Sequence, residues 1–310
     1  MKYFIVLALI LVSTLAIHIP QKYAHYKPGY MRIPEWEKIA SGERKLMQKE
    51  PTMNFKPRED VLTTVKCGIP GNKIDNLDND LNVTEARPHQ FPWLVGLFFG
   101  DYYFCVGTII SSKYILTAAY CADGVSHHEV VIGAHELMDP DNKIINSYNS
   151  IVHPEYESYS LSNDIAILEL EKDLDFDTEP NVGAICLASS GDFAGQMSLV
   201  SGWGPSEETG KRVVVYVDDL PILSKSECSW GDLNEGIICI ETEVCINPDS
   251  GGGSPLSIPG AQFEQIGIAS FGTSLGCFSG HPTIFTEVSK YHSWISSVTG
   301  IKFEGANKTF

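Results

Sequence analysis

The stretch Leu116-Thr117-Ala118-Ala119-Tyr120-Cys121 joins the end of an apolar run to two small residues, a tyrosine and a cysteine. The run before it, Tyr114-Ile115-Leu116, is short, aromatic and β-branched, which is typical of a strand. A second apolar run opens upstream at Cys105 with Cys-Val-Gly-Thr-Ile-Ile-Ser-Ser. This part of the chain therefore predicts neighbouring strands that end close to a cysteine-containing turn.

Further motifs follow in a fixed order along the chain. They are Asn163-Asp164-Ile165-Ala166, Gly202-Trp203-Gly204, Leu220-Pro221-Ile222-Leu223 running into Cys228, Asp249-Ser250-Gly251-Gly252, and Tyr291-His292-Ser293-Trp294-Ile295. Together with Leu116–Cys121 they resemble the ordered motifs of chymotrypsin/trypsin-family serine proteases, from Cys67 to about Gly300. The resemblance implies an all-β fold, a chymotrypsin-like double β-barrel with a short C-terminal helix.

The hydrophobic pattern agrees with that fold. Short β-branched or aromatic runs recur at Trp93–Phe99, Thr108–Ile110, Tyr114–Leu116, Ile165–Leu170, Val213–Val217 and Ile266–Ala269. Such a rhythm is typical of barrels. The segment Val288–Val298 instead has apolar residues at helical spacing. With 310 residues, of which 43% are hydrophobic, the chain can bury one large all-β core or two smaller ones.

The N-terminus has the features of an export signal. Met1-Lys2 precedes an apolar run from Phe4 to Ile17, with small residues before a cleavage site near Ala16. The run is shorter than the ~20 residues that span a bilayer, so a signal peptide over 1–16 is favoured over a membrane anchor. We expect a secreted, extracellular protein without a membrane span in its mature form. Asn82 and Asn307 lie in Asn-x-Thr acceptor sites for N-linked glycan.

Charge divides the chain into two parts. Residues 18–66 contain ten Lys and Arg against six Asp and Glu, whereas residues 67–310 contain eleven against 33. We predict a basic, partly disordered leader over 17–66 and an acidic trypsin-like domain over 67–310, with its barrels at about 80–300. The acidic domain disfavours nucleic-acid binding. An electrostatic role of the leader toward the domain or a partner remains open.

Eight cysteines in an exported chain are expected to pair. Spacing alone leaves 105 connectivities for eight cysteines, but the family resemblance implies one. Its pairs are Cys67 with Cys186, Cys105 with Cys121, Cys228 with Cys239, and Cys245 with Cys277. No cofactor and no metal site is expected, because there is no Cys-x-x-Cys motif. The calcium loop of some relatives would begin at Gly133, where Ala134 replaces the usual acidic ligand.

The resemblance places Tyr120, Asp164 and Ser250 at the catalytic triad. The family's base is a histidine, which takes the proton of the serine hydroxyl. A phenol with an ordinary pKa of about 10 carries its basic form in roughly one molecule per thousand at neutral pH. Asp164 then has no imidazole to orient, and we expect it to form a buried hydrogen bond, for example with the Tyr120 hydroxyl.

The serine loop also departs from the family pattern Cys-x-Gly-Asp-Ser-Gly-Gly-Pro-Leu. It has one extra residue before Asp249 and two before Pro255, so counting back from Leu256 puts Gly252 in place of Ser250. Both alignments are open. Pro248 replaces the glycine whose N–H forms half of the oxyanion hole, and proline has no N–H to donate.

The activation and specificity elements differ as well. Active members of the family are activated by cleavage after Arg or Lys, which creates a new N-terminus. Counting back from Ala86 and Pro92-Trp93 places that N-terminus at Asp80, and the residue before Asp80 is not basic. Glu243 would lie near the floor of the primary pocket, and Thr283 would narrow that pocket. A working pocket is therefore not expected.

The residues indicate a secreted, catalytically inactive serine protease homologue. The resemblance implies a binding partner, cofactor or regulator in an extracellular proteolytic or immune cascade, acting on proteases, their substrates or their inhibitors. Residues 17–66 lack the cysteines of the clip module that many such relatives carry. One alternative is an active endopeptidase, whose base would have to be His127, His128 or His153. Another is a secreted decoy or effector that binds inhibitors or host proteins.

Overall fold

A computed structural model of the chain describes residues 67–71, 83–100, 102–189, 191–206, 208–228, 236–241, 251–270 and 282–303. The predicted signal peptide and leader lie outside the described residues. Within the described part of the chain, no helix has the length and apolar character needed to cross a membrane.

The described residues form fourteen strands and one α-helix. The strands are β1 (Thr84–Glu85), β2 (Leu94–Phe99), β3 (Tyr102–Ile109), β4 (Tyr114–Thr117), β5 (His128–Ile132), β6 (Lys143–Val152), β7 (Ala166–Leu170), β8 (Cys186–Leu187), β9 (Met197–Pro205), β10 (Arg212–Pro221), β11 (Ile237–Ile240), β12 (Pro255–Ile258), β13 (Glu264–Ala269) and β14 (Thr283–Glu287). The helix α1 (His292–Thr299) follows a 3-10 turn over Val288–Tyr291.

The first barrel is closed in the order β2-β3-β4-β7-β6-β5. The strand β4, which carries the Leu-Thr of the opening motif, pairs with β3 on one side and β7 on the other. Its residues Ile115, Leu116 and Thr117 are buried, and so are Ile167 and Leu168 on β7. Because β4 is paired on both sides, the 3-10 turn Ala119–Cys121 that follows it, and with it Tyr120, has a fixed place at the end of the barrel.

The second barrel is a sheet in the order β1-β10-β9-β12-β13-β14-β11, with β8 parallel to β13. Its ends meet where the Leu223 N–H donates to the Cys239 carbonyl at 2.9 Å. The strand β10 extends to Pro221, beyond the expected Val213–Val217, through a register shift where Asp219 has a positive φ of 53°. A bulge of this kind was not readable from hydrophobicity. The predicted double barrel and short C-terminal helix are confirmed.

Three disulfides lie in the described part of the chain, and they join the pairs that the family resemblance implied: Cys67–Cys186, Cys105–Cys121 and Cys228–Cys239. Cys245 and Cys277 lie outside the described residues. Next to Cys67, Gly68 exchanges two backbone hydrogen bonds of 2.7 Å, donating to Ala184 and accepting from Phe263. A Cβ at Gly68 would lie 2.4 Å from the Phe263 carbonyl oxygen, and its φ is +67°. Glycine is therefore required where the linker meets the domain.

Candidate functional site

Asp164 is fully buried between the two barrels. Its Oδ1 accepts the Tyr120 backbone N–H at 2.9 Å, and its Oδ2 accepts the Ser270 hydroxyl at 2.5 Å. Burial raises the pKa of Asp164 to about 6, although the hydrogen bonds from Ser270, Tyr120 and Ala119 act in the opposite direction. The carboxylate therefore links the 3-10 turn Ala119–Cys121 that follows β4 in the first barrel to the residue after β13 of the second.

Ser270 was not identified from the sequence as a site residue. The available signal was its position, since it directly follows the apolar run Ile266–Ala269 at the end of a predicted strand. A serine at a strand end is common, and only the fold brings its hydroxyl to Asp164. The Thr286 hydroxyl adds a second link across the barrels, because it donates to the Asp164 backbone carbonyl at 2.9 Å.

The Tyr120 side chain extends to the backbone of Gly252. A Cβ built on Gly252 would lie 1.4 Å from the Tyr120 hydroxyl oxygen and 2.4 Å from Cζ. The hydroxyl thus occupies the space that any side chain at 252 would need. The Tyr120 backbone N–H donates to Asp164, so this residue does contribute a buried hydrogen bond to that carboxylate.

The Gly252 segment is held by backbone contacts to both barrels. The Val106 N–H donates to the Gly252 carbonyl at 2.7 Å, and the Gly253 N–H donates to the Ala269 carbonyl at 2.9 Å. Gly253 has a φ of +83°, and a Cβ there would lie 2.0 Å from the Val106 carbonyl oxygen. Gly253 must therefore be glycine, and it fixes the path of the chain into β12.

The path of the chain into β12 helps to compare the two alignments of the serine loop, which place either Ser250 or Gly252 at the nucleophile position. The loop enters β12 at Pro255, and Leu256 pairs with Val200 and Gly267 in the sheet. Counting back from this anchored Leu256, the residue that faces Tyr120 is Gly252, which has no hydroxyl. Ser250 and Pro248 lie outside the described residues.

The three histidines considered as alternative bases make contacts of their own. Both ring nitrogens of the buried His128 have partners: Nε2 lies 3.0 Å from the Cys121 carbonyl oxygen, and Nδ1 lies 3.3 Å from the Ser150 hydroxyl. His127 Nε2 contacts the Asn146 side chain. His153 packs against the rings of Tyr291 and Trp294, and its Nδ1 accepts the Glu155 N–H. Desolvation lowers the pKa of His128 and of His153.

Two phenols near Asp164 are also unsuited to proton abstraction. Burial, together with the negative charge of Asp164, raises the pKa of Tyr291 to about 12 and raises that of Tyr156 further. The Tyr291 hydroxyl donates to Asn163 Oδ1 at 3.1 Å. Both groups therefore stay neutral at physiological pH and act as hydrogen-bonding and packing groups.

Of the remaining residues predicted for the pocket, the glycosylation sites and the calcium loop, the structure describes some and not others. Thr283 is buried at the start of β14, where it pairs with Ile240 of β11. Glu243, Asn82 and Asn307 lie outside the described residues. At the loop where some relatives bind calcium, the Glu136 carboxylate instead accepts the Lys211 ammonium at 2.7 Å. No group of three His, Cys, Asp or Glu residues able to hold a metal ion occurs among the described residues.

Comparisons with known proteins extend these observations. The family model described as Trypsin matches residues 80–295. The chain is 37% identical over 226 residues to brachyurin from Leptuca pugilator, an alignment that covers 70% of this chain and 97% of that protein. It is 34% identical over 233 residues to Serine protease 1 from Drosophila melanogaster, covering 70% of this chain and 84% of the relative. The solved structure of HL collagenase matches with a TM-score of 0.63 and 28% identity, over 72% of this chain and 100% of that one.

Proposed function

Because the chain belongs to the trypsin family of serine proteases, we propose that it is a secreted member whose catalytic centre is inactive and which acts by binding other proteins. The observation that carries this proposal is the overlap between the Tyr120 hydroxyl and the space of a side chain at Gly252. In a working member, the base and the nucleophile meet at this point. Here a phenol and a glycine meet there instead.

The chemistry of Tyr120 and Gly252 supports an inactive catalytic centre. A serine hydroxyl becomes nucleophilic when a nearby base accepts its proton, and the group aligned with that base is the phenol of Tyr120. The aligned nucleophile position, Gly252, has no hydroxyl to activate. Asp164, which orients the base in active members, accepts hydrogen bonds here from Ser270 and from the backbone N–H groups of Tyr120 and Ala119.

A second candidate is an active serine endopeptidase, which the names of the relatives favour. Brachyurin, Serine protease 1 and Trypsin II-P29 from Gallus gallus, the last 34% identical over 220 residues, are similar chains. Activity would require another base beside Asp164 and a nucleophile in the loop before Gly251. The contacts of His127, His128 and His153 oppose the first requirement.

We propose a protein partner in an extracellular proteolytic or immune cascade, such as a protease, its substrate or its inhibitor. A decoy that binds inhibitors or host proteins would use the same kind of surface. Residues 67–310 have a charge balance of −22, from eleven basic and 33 acidic residues. A surface of this charge attracts partners with basic patches over distances of about the ~8 Å screening length at physiological salt.

Association with such a partner should be fast at low salt and at least about tenfold slower at physiological ionic strength. The measurement immobilises the full secreted chain and follows the binding of proteins from the source's extracellular fluid across a salt series. A homologous active trypsin of near-neutral charge, immobilised at the same density, is the control. The absence of a saturable partner, or an association rate indifferent to salt, would contradict the proposed role.

A further inference from the structure

One strand of the first barrel exposes large apolar side chains to solvent. Alternate residues of β6 point outward, and two of them, Ile144 and Tyr148, are 52% and 63% exposed. The residues between them, Ile145 and Ser147, are buried in the barrel. Together with their neighbours they form what we call the Tyr148 face: His127, Glu129, Ile144, Asn146, Tyr148 and Glu171. Scattered exposed apolar residues are ordinary, but Ile144 and Tyr148 lie on one strand face, and contacts join Tyr148, His127, Asn146 and Glu171.

The Tyr148 ring is held in place before any partner binds. The His127 ring stacks on it with centroids 4.8 Å apart and planes inclined by 13°. His127 is itself fixed, because its Nε2 lies 2.9 Å from Asn146 Oδ1. On the other side of the amide, Asn146 Nδ2 donates to both carboxylate oxygens of Glu171 at 3.3 Å. A side chain ordered in advance loses little conformational entropy when it is buried by a partner.

Two carboxylates flank Asn146, which lies two residues before Tyr148 on β6. Glu171 follows β7 and is tied to β6 by its own backbone, since its N–H donates to the Asn146 carbonyl at 2.8 Å. Glu129 lies opposite Asn146 on the neighbouring β5. The lysines Lys113 and Lys143 of the same barrel pair with Asp173 and Glu179. Glu129 and Glu171 at Asn146 therefore suit a cationic partner group, and Lys172 is the one basic residue that directly adjoins Glu171 in the chain.

The guanidinium group of an arginine fits the Tyr148 face better than the ammonium group of a lysine. It is planar and weakly hydrated, stacks on an aromatic ring, and presents paired N–H groups to a carboxylate. One side of the Tyr148 ring is covered by His127, and the residue is still 63% exposed. Ile144, two positions before Asn146 on the same strand face, adds apolar contact at about 7 Å from it.

We propose that the Tyr148 face is a binding surface for an arginine-bearing loop of a protein partner. The arginine stacks on the open side of Tyr148 and donates to Glu171, and an apolar neighbour packs on Ile144. This surface adds to the proposed function a binding site outside the cleft, and its existence does not depend on whether the cleft is catalytic.

The test uses two fluorescent peptides of equal charge, acetyl-Gly-Arg-Gly-Arg-Gly-amide and its lysine counterpart, titrated with the full secreted chain at low ionic strength. Fluorescence polarisation should show saturable binding of the arginine peptide, at least about threefold tighter than that of the lysine peptide. Tyr148→Ala and Glu171→Gln should each weaken arginine-peptide binding by about five- to tenfold.

Tyr159→Ala is the matched control, because Tyr159 is a fully exposed tyrosine of the same barrel. It should leave the affinity unchanged. All three substitutions are at exposed side chains, so circular dichroism should show wild-type folding. The proposal is overturned if the arginine peptide does not bind, if both peptides bind equally, or if Tyr159→Ala weakens binding as much as Tyr148→Ala. Ester hydrolysis, measured on the same samples, reports separately on the cleft.

Discussion

Tyr120→His, made alone, should leave peptide-ester hydrolysis about a millionfold below that of a working trypsin-family protease. The substitution supplies an imidazole at the end of β4, where Asp164 can orient it. It supplies no hydroxyl at Gly252, the residue that faces this position. Catalytic groups act as a unit, so the loss of one member costs nearly as much as the loss of all. Steady-state hydrolysis of an arginine ester, with trypsin at equal concentration as reference, measures the difference.

Tyr120 and Gly252 also allow a test of their contact through protein stability. Gly252→Ala should destabilise the protein by about 1–3 kcal/mol, because its Cβ would overlap the Tyr120 hydroxyl. In a Tyr120→Ala background the same change should cost much less, which a double-mutant cycle of unfolding free energies resolves. Turnover of Tyr120→His within about a hundredfold of trypsin would show that Ser250, not Gly252, occupies the nucleophile position.

Asp164→Asn should change how stability depends on pH. The folded protein keeps the Asp164 proton up to about pH 6, whereas the ordinary pKa of the group is 3.8. The stability linked to this raised pKa is fully present below about pH 4 and is lost as pH rises through about 6. The Asp164→Asn protein does not lose this stability, because asparagine does not titrate. Its unfolding free energy relative to wild type should therefore increase by roughly 3 kcal/mol between about pH 4 and pH 7.

Urea denaturation of both proteins across this pH range measures that difference. His128, His153 and His292 also titrate with lowered pKa values and act in the opposite direction, but they are common to both proteins and cancel. Asp123→Asn, which removes the carboxyl group of an exposed aspartate, is the matched control. A flat difference for Asp164→Asn would contradict the raised pKa of Asp164 in the folded state.

The fold was predictable from the sequence because its landmarks are local. The strand ending at Thr117, the Gly202-Trp203-Gly204 motif and the positions of the cysteines each survive as short patterns. The tyrosine at the position that a histidine holds in the family motif was equally readable, since it depends on the identity of one residue, Tyr120, in the turn after β4. The 3-10 start of the C-terminal helix and the bulge in β10 were not, because hydrophobic periodicity carries no signal for them.

The arrangement of the candidate site could not be predicted without knowing the path of the backbone. Repeated glycines between Ser250 and Pro255 allowed two alignments, and only the packing of Gly253 against Val106 shows which residue meets Tyr120. Ser270 is one serine among many until the fold brings it to Asp164. Tyr148 was likewise not distinguishable by sequence, because a tyrosine in a strand can face the core or the solvent.

The central claim is that no activated serine exists in this cleft. Labelling with a fluorophosphonate tests it most directly, because the reagent reacts with activated serines without needing a substrate pocket. The full chain, before and after trypsin treatment, is incubated with the reagent and digested for mass spectrometry, with active trypsin as the positive control. We expect trypsin to be labelled and this chain to carry no label on any serine. Stoichiometric labelling of Ser250 would contradict the account.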